Sequence, residues 1–95
     1  DDLNLPFGTI RMRKQGSDGG HNGLKHIQQV LGTPNYCRVR VGIGNEFTRG
    51  AQINFVLGEW TAEEKEQLSE RLDRIAEMIP SFCLQGPDRT MNQYN

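Results

Sequence analysis

The sequence has too few cysteines for a disulfide-rich or zinc-binding protein, and it has no apolar run long enough for a membrane span. Cys37 and Cys83 lie far apart, without Cys-x-x-Cys spacing or a nearby histidine cluster, so neither a zinc site nor a disulfide scaffold is indicated. We expect both to be buried thiols. No apolar run approaches the roughly 18 residues that span a bilayer, and the acidic start Asp1-Asp2 is the opposite of a signal peptide's basic end. A cytoplasmic protein without membrane contact is therefore expected.

The charge is small overall but unevenly distributed. The net charge is −1 over 95 residues, which suit one small domain. Positions 1 to 50 carry seven basic and four acidic side chains, a net +3, whereas positions 51 to 95 carry four basic and eight acidic ones, a net −4. A basic first half suits a partner that carries phosphate groups.

A glycine-rich segment from Gly16 to Lys25 is the most informative stretch. Four of its residues are glycines, and they surround His21 and Asn22 at the point where a helical pattern begins. Glycine allows a backbone to approach a ligand closely, and the N-terminus of a helix presents unpaired N–H groups and a positive dipole end. The segment indicates a site for an anionic or strongly polar substrate. The alternative is a flexible turn with a helix cap.

Alternating patterns predict two half-buried strands. Thr9–Lys14 places Ile10 and Met12 on one face, and Tyr36–Ile43 alternates in the same way. Asn45–Gly50 is expected to be a polar loop. A third, short strand is predicted after that loop, at positions 53 to 57.

Three helices are also predicted. The first runs from Asn22 to near Gly32. The second is long and starts after Thr61, because Thr61-Ala62-Glu63-Glu64 has the pattern of a capping box. Pro80 is expected to kink this helix or end it early. A short C-terminal helix is predicted after Gly86.

Four arginines alternate with apolar residues on the two predicted strands. Arg11 and Arg13 share one face of the first strand, and Arg38 and Arg40 share one face of the second. If the strands are neighbours, these side chains build one basic surface that can contact phosphates. The alternative is the ordinary solvated face of an antiparallel sheet.

Four ordered blocks of the chain resemble the C-terminal half of bacterial-type peptidyl-tRNA hydrolases. These blocks are Asp1-Asp2-Leu3-Asn4-Leu5-Pro6-Phe7-Gly8, Gly20-His21-Asn22-Gly23-Leu24-Lys25, Arg38-Val39-Arg40-Val41-Gly42-Ile43-Gly44 and Phe55-Val56-Leu57-Gly58. The resemblance covers nearly the whole chain. It implies an α/β fold with a mixed twisted sheet flanked by helices, of which residues 1–95 form the incomplete C-terminal half of a single domain.

The resemblance also implies an activity. Family members hydrolyse the ester that joins a peptide to the 3′ ribose of tRNA, by histidine-assisted attack of water and without a metal or cofactor. The position of Asp1 is that of an aspartate that orients the histidine, and the position of Asn22 is that of an amide that holds substrate or stabilises charge. The residues alone allow a loop carboxylate for Asp1 and a helix N-cap for Asn22.

The remaining site residues implied by the resemblance bind substrate. The segment around the Asn22 amide is expected to lie against the reacting end, and basic side chains are expected to hold the acceptor end of peptidyl-tRNA. These substrate-binding residues are Gly20, His21, Gly23, Arg11, Arg13, Lys25 and Arg40. His26 is expected to be a surface residue.

One part of the family pattern does not match. The catalytic histidine and two further active-site asparagines belong to the N-terminal half of the family domain, and neither His21 nor His26 has the sequence context of that histidine. The 95 residues by themselves are therefore expected to be inactive. The complete protein is expected to be monomeric, whereas this portion could self-associate through an open sheet edge. The alternatives are a non-catalytic RNA-binding relative and a truncated fragment without activity.

Overall fold

A computed structural model describes residues 1–46 and 51–95 and contains both strands and helices. The predicted loop Asn45–Gly50 therefore lies partly outside the described residues. The element order is β1 (Ile10–Arg13), α1 (Asn22–Leu31), β2 (Arg38–Val41), α2 (Gln52–Leu57) and α3 (Ala62–Tyr94). The predicted α/β class is confirmed.

The two predicted strands pair with each other. β1 and β2 are antiparallel, with Ile10 opposite Val41 and Met12 opposite Val39. The segment before β1 adds a parallel bridge, because the Asp2 N–H donates to the Val41 carbonyl at 2.8 Å. Both parallel and antiparallel pairings therefore occur beside β2, and the first residues of the chain lie at its end.

Gly42 allows the chain to cross itself at this point. A Cβ atom at Gly42 would lie 2.0 Å from the Pro6 carbonyl oxygen and 2.8 Å from the Leu5 Cβ. The Gly42 N–H donates to the Thr9 carbonyl at 2.7 Å, and the Gly42 carbonyl accepts from the Gly8 N–H at 2.9 Å. The missing side chain of Gly42 thus leaves space for the Leu5–Pro6 turn, and the two hydrogen bonds hold the chain start against the end of β2.

The core lies between β1 and α3. Ile10 and Met12 are buried, as the alternation predicts, and they pack with the fully buried Met78 of α3. The partly buried residues around them are Val39, Ile75, Phe82, Met91 and Tyr94. This packing covers one face of the strand pair and leaves the arginine-bearing face directed away from α3.

The start of α3 is confirmed, but its break lies six residues beyond the predicted one. Thr61 and Glu64 form both hydrogen bonds of the capping box. The helix continues through Pro80 and is interrupted only at Gly86, where φ is 83°. The fixed φ of proline is itself helical, so a single proline can remain in a well-packed helix, whereas the glycine adopts a left-handed φ that other residues avoid. A short helix follows Gly86, as predicted.

Two further predictions are wrong. The predicted strand at positions 53 to 57 is the helix α2, and a short apolar run has no periodicity that separates the two. Ile53 and Leu57 remain exposed there, so α2 is not a buried segment. Cys37 and Cys83 are both exposed rather than buried. Cys37 precedes the first residue of β2, so the alternation that would place it on the apolar face does not reach it.

Among the helices of residues 1–46 and 51–95, none is long and apolar enough to cross a membrane.

Candidate functional site

A cleft of about 470 Å³ lies between the start of the chain, the glycine-rich segment, the strand pair and α2. Most of the predicted site residues line it. They are Asp1, Arg13, Gly20, His21, Asn22, Gly23 and Arg40. α2 contributes an apolar wall of Ile53, Val56 and Leu57. The cleft therefore combines polar groups and glycine backbone on one side with an apolar surface on the other.

The glycine-rich segment has a defined conformation. Gly19 and Gly20 both have positive φ, at 59° and 82°. The Asp18 carboxylate accepts the Gly20 N–H at 2.8 Å, and the Asp18 carbonyl accepts the His21 N–H at 2.9 Å. The two glycines are thus required by the backbone of a turn that directs the chain into α1.

His21, rather than Asn22, caps α1. The His21 Nδ1 accepts the Leu24 N–H at 3.2 Å, whereas Asn22 is the first residue of the helix. The helix-cap alternative for Asn22 is therefore wrong, and its exposed side chain lies at the cleft. Gly23 leaves room for the ring of this cap, because a Cβ there would lie 2.8 Å from the His21 Cε1.

The second ring nitrogen of His21 contacts Asp1. Because Nδ1 accepts from a backbone N–H, Nε2 carries the proton and donates to the Asp1 Oδ1 at 3.0 Å. Both groups are about 40% exposed, so the pair lies at the cleft surface. Asp1 thus holds an imidazole in a single tautomer, although that imidazole also serves as the helix cap.

The arginines form one surface, as expected if the strands are neighbours. Arg11 lies directly opposite Arg40, and Arg13 lies directly opposite Arg38. Like charges in opposing positions destabilise a strand pair unless an anion offsets them. For Arg40 that anion is Asp2, whose Oδ2 accepts from the Arg40 Nε at 2.6 Å.

The environment of Asp2 lowers the pKa of its carboxyl group. Partial burial by itself would raise the pKa of Asp2, but the hydrogen bond and positive charge of Arg40, together with the Asn4 N–H, outweigh it and lower the pKa below 3.8. The sequence patterns alone did not single out Asp2. The signal that could have identified Asp2 as an arginine partner was a second carboxylate next to Asp1, in a chain whose two predicted strands carry four arginines.

Arg38 has a connecting role. Its guanidinium lies 4.1 Å from the centre of the Tyr36 ring and donates to the carbonyls of Ser17 and Pro34, at 3.0 and 2.7 Å. These bonds connect β2 to the glycine-rich segment and to the turn after α1. Arg38 therefore supports the cleft wall, in addition to lining it.

Two predicted substrate-binding residues lie outside the cleft. Arg11 is on β1 and its Nη1 donates to the Ile10 carbonyl at 2.8 Å. Lys25 lies on α1 and lines a separate open groove with Asp18 and Gln28. His26 is exposed, as predicted. In the described part of the chain, no group of three or more His, Cys, Asp or Glu side chains could hold a metal ion.

Comparisons with known proteins point to one family. The family model described as peptidyl-tRNA hydrolase matches residues 1–95. The chain is 60% identical, over its full length, to a peptidyl-tRNA hydrolase of Bacteroides fragilis and 56% identical to one of Porphyromonas gingivalis, and it covers 51% of each. The crystal structure of peptidyl-tRNA hydrolase from Acinetobacter baumannii matches 99% of the chain with a TM-score of 0.85 at 32% identity, and 47% of that chain is covered. The chain thus spans about half the length of these relatives.

Proposed function

Since the chain belongs to the peptidyl-tRNA hydrolase family, we propose that it forms the C-terminal half of a hydrolase domain that cleaves the ester between peptide and tRNA. In this proposal the chain supplies the orienting and substrate-binding half of the active site, and the complete domain acts as a cytoplasmic monomer without metal or cofactor. The observation that carries the proposal is that one cleft brings together Asp1, Asn22, the N-terminus of α1 and three arginines of the strand pair.

Asp1 orients the catalytic base in this scheme. A carboxylate has two oxygens that accept hydrogen bonds, and the Oδ1 of Asp1 already accepts from His21. The other oxygen accepts from the base histidine of the N-terminal half, fixes its tautomer and stabilises the imidazolium that forms when water is deprotonated.

Asn22 acts at the reacting ester. Its side chain does not cap the helix, because His21 provides the cap. Asn22 is the first residue of α1 and lines the cleft. An amide N–H there, next to the positive end of the helix dipole, stabilises the negative charge that develops on the ester oxygen. Gly20 and Gly23 let the substrate approach the backbone, and His21 lies adjacent to it.

The basic side chains hold the tRNA. Arg13 and Arg40 line the cleft, and Arg11 lies beside them on the same strand pair. Lys25 extends this positive region along α1. Such contacts position an RNA through its phosphates and contribute affinity without reading its sequence.

His21 does not act as the base. One of its nitrogens accepts the Leu24 N–H and the other donates to Asp1, so no ring lone pair remains to take a proton from water. We therefore expect the 95 residues by themselves to show no hydrolysis of a peptidyl-tRNA above background. Turnover comparable to that of an intact enzyme would contradict this assignment.

Exposed apolar side chains support the view that these residues belong to a larger domain. Val30 is 73% exposed and Leu84 is 88% exposed, and both lie on helices that would bury them against further structure. By itself the chain is expected to self-associate through such surfaces and through its open sheet edge.

The test of the proposal is a comparison of two substrates. In a complete enzyme that contains these residues, Asn22→Ala is expected to lower kcat/KM about 10²- to 10³-fold for both a peptidyl-tRNA and a small peptidyl ester, because its contact is at the ester. Asn92→Ala, which changes an exposed amide of α3, is the control. Equal activity of the Asn22 variant and the wild type would contradict the role of Asn22. Binding of tRNA without any hydrolysis by the wild type would favour the RNA-binding alternative.

A further inference from the structure

The side chain of Asn95 pairs with the backbone of β1 as a neighbouring strand would. Its Oδ1 accepts the Met12 N–H at 2.7 Å, and its Nδ2 donates to the Met12 carbonyl at 3.1 Å. A carboxamide is the side-chain group that offers a donor and an acceptor in the geometry of a peptide bond. The residue after α3 therefore satisfies both polar backbone groups of one residue in the middle of the strand.

Several contacts hold Asn95 in this position. Its own N–H donates to the Met91 carbonyl at 3.0 Å, which ends the helix. Arg74 donates to the Tyr94 carbonyl at 2.9 Å and lies 5.0 Å from the centre of the Tyr94 ring. The end of α3 is thus anchored both to its own helix and to an earlier turn, and the Asn95 side chain is directed at β1.

The Met12 carbonyl also contacts an arginine of the proposed tRNA surface. It accepts from the Arg13 Nη1 at 2.8 Å in addition to accepting from Asn95. A carbonyl oxygen has two lone pairs, so both of its acceptor positions are occupied. The guanidinium of Arg13 and the carboxamide of Asn95 therefore meet at one atom, although 82 positions separate them in the sequence.

We propose that Asn95 is a positioning residue that directs the Arg13 guanidinium toward the cleft and thereby sets its contact with a tRNA phosphate. This inference rests on the proposed function. Asn95 touches neither substrate nor reacting atoms, and it acts by occupying one side of the Met12 carbonyl, which leaves the other side to Arg13. Arg13 is itself exposed and lines the cleft, so its remaining N–H groups can reach a phosphate.

An aspartate at this position changes the arrangement in a specific way. Asn95→Asp keeps the size of the side chain and can still accept the Met12 N–H, but it has no N–H for the Met12 carbonyl. The new carboxylate instead attracts the adjacent guanidinium of Arg13 and neutralises it. This charge effect tests that position 95 lies beside Arg13, and the neutral variant Asn95→Ala described below tests the positioning role itself.

The experiment measures the salt dependence of tRNA binding in the complete enzyme. Asn95→Asp is expected to reduce the slope of log K against log salt by about one unit or somewhat less, as does Arg13→Ala. Adding Asn95→Asp to Arg13→Ala is expected to reduce it no further. The matched control is Asn92→Asp, which makes the same change of charge at an exposed site of α3 and is expected to keep the wild-type slope.

A second variant covers the case in which the aspartate prevents folding. Asn95→Ala removes the pairing without adding charge, and it is expected to raise KM for a peptidyl-tRNA about two- to tenfold, the effect of losing one well-placed hydrogen bond. Its kcat, and its activity on a small peptidyl ester, are expected to stay at the wild-type level.

The outcomes separate this inference from the function on which it rests. A flattened slope in Arg13→Ala with a wild-type slope in Asn95→Asp, or a wild-type KM in Asn95→Ala, would overturn the role of Asn95 and leave the phosphate contact of Arg13 in place. A wild-type slope in Arg13→Ala would overturn the phosphate contact itself, and the inference with it.

Discussion

Asp2 holds Arg40 through a 2.6 Å contact between Oδ2 and Nε, at the point where β2 places Arg40 directly opposite Arg11. The carboxylate offsets the repulsion between the two guanidinium groups and joins the start of the chain to the strand pair. The three arginines of the cleft therefore differ in their contacts. Arg40 is partly neutralised and Arg38 supports the cleft wall, which leaves Arg13 as the cleft arginine most available to an added phosphate.

The stabilisation that Asp2 provides is expected to depend on pH. The folded state lowers the pKa of Asp2 below 3.8, so its contribution is present above that value and is lost as the pH falls through the lower, folded-state pKa. Asp2→Asn is expected to reduce the free energy of unfolding by about 1 to 3 kcal/mol at pH 7. Thermal unfolding of the complete enzyme should show the difference from wild type shrinking below pH 3.8. Asp73→Asn, at an exposed position, is the control, and a difference that stayed constant with pH would contradict the role of Asp2.

Asp1→Asn is expected to impair the chemical step rather than binding. An amide can occupy the same space but cannot stabilise an imidazolium, so kcat in the complete enzyme is expected to fall about 10²- to 10⁴-fold, with little change in tRNA affinity. Steady-state kinetics and an equilibrium binding measurement separate the two effects. If turnover were unchanged, Asp1 would be an ordinary loop carboxylate that happens to contact His21.

Replacing Arg11 and Arg13 together with alanine is expected to weaken tRNA binding and to flatten its dependence on salt. Each lost phosphate contact reduces the slope of log K against log salt by about one unit or somewhat less. Because Arg13 lines the cleft and Arg11 does not, the single Arg13 variant should account for the larger share. A small peptidyl ester should be cleaved nearly as before. Arg89→Ala, on the exposed surface of α3, is the control, and an unaltered slope in the double variant would identify the arginines as a solvated sheet face.

Gly42→Ala is expected to destabilise the fold by about 2 to 4 kcal/mol, because the new Cβ would lie 2.0 Å from a backbone oxygen that cannot move without opening the turn. Chemical denaturation of the complete enzyme measures the loss. Gly16→Ala is the matched control, since its Cβ would meet only the Arg38 guanidinium at 4.0 Å, and we expect little change there. Similar stability of the two variants would mean that the crossing at Gly42 relaxes easily.

Local patterns in the sequence were sufficient to predict most of the strands and helix starts. Alternation located β1 and β2, the Thr61 capping box located the start of α3, and the glycine-rich segment located the start of α1. Each of these signals depends on residues within a few positions of one another, so the chain encodes it without reference to distant parts. The roles of Asp1 and Asn22 in catalysis stay predictions that came from the family resemblance.

The tertiary structure decided what depends on contacts between distant residues. The strand register set Arg11 opposite Arg40, and the approach of the chain start to β2 selected Asp2 as its partner. Asparagine is a preferred N-cap residue and histidine is not, yet His21 provides the cap, and its second ring nitrogen contacts Asp1. α2 has no periodicity to distinguish it from a strand. The sequence by itself thus determined β1, β2, α1 and the start of α3, because alternation and capping are local, whereas only the tertiary structure decided the helix α2 and which side chains meet in the cleft.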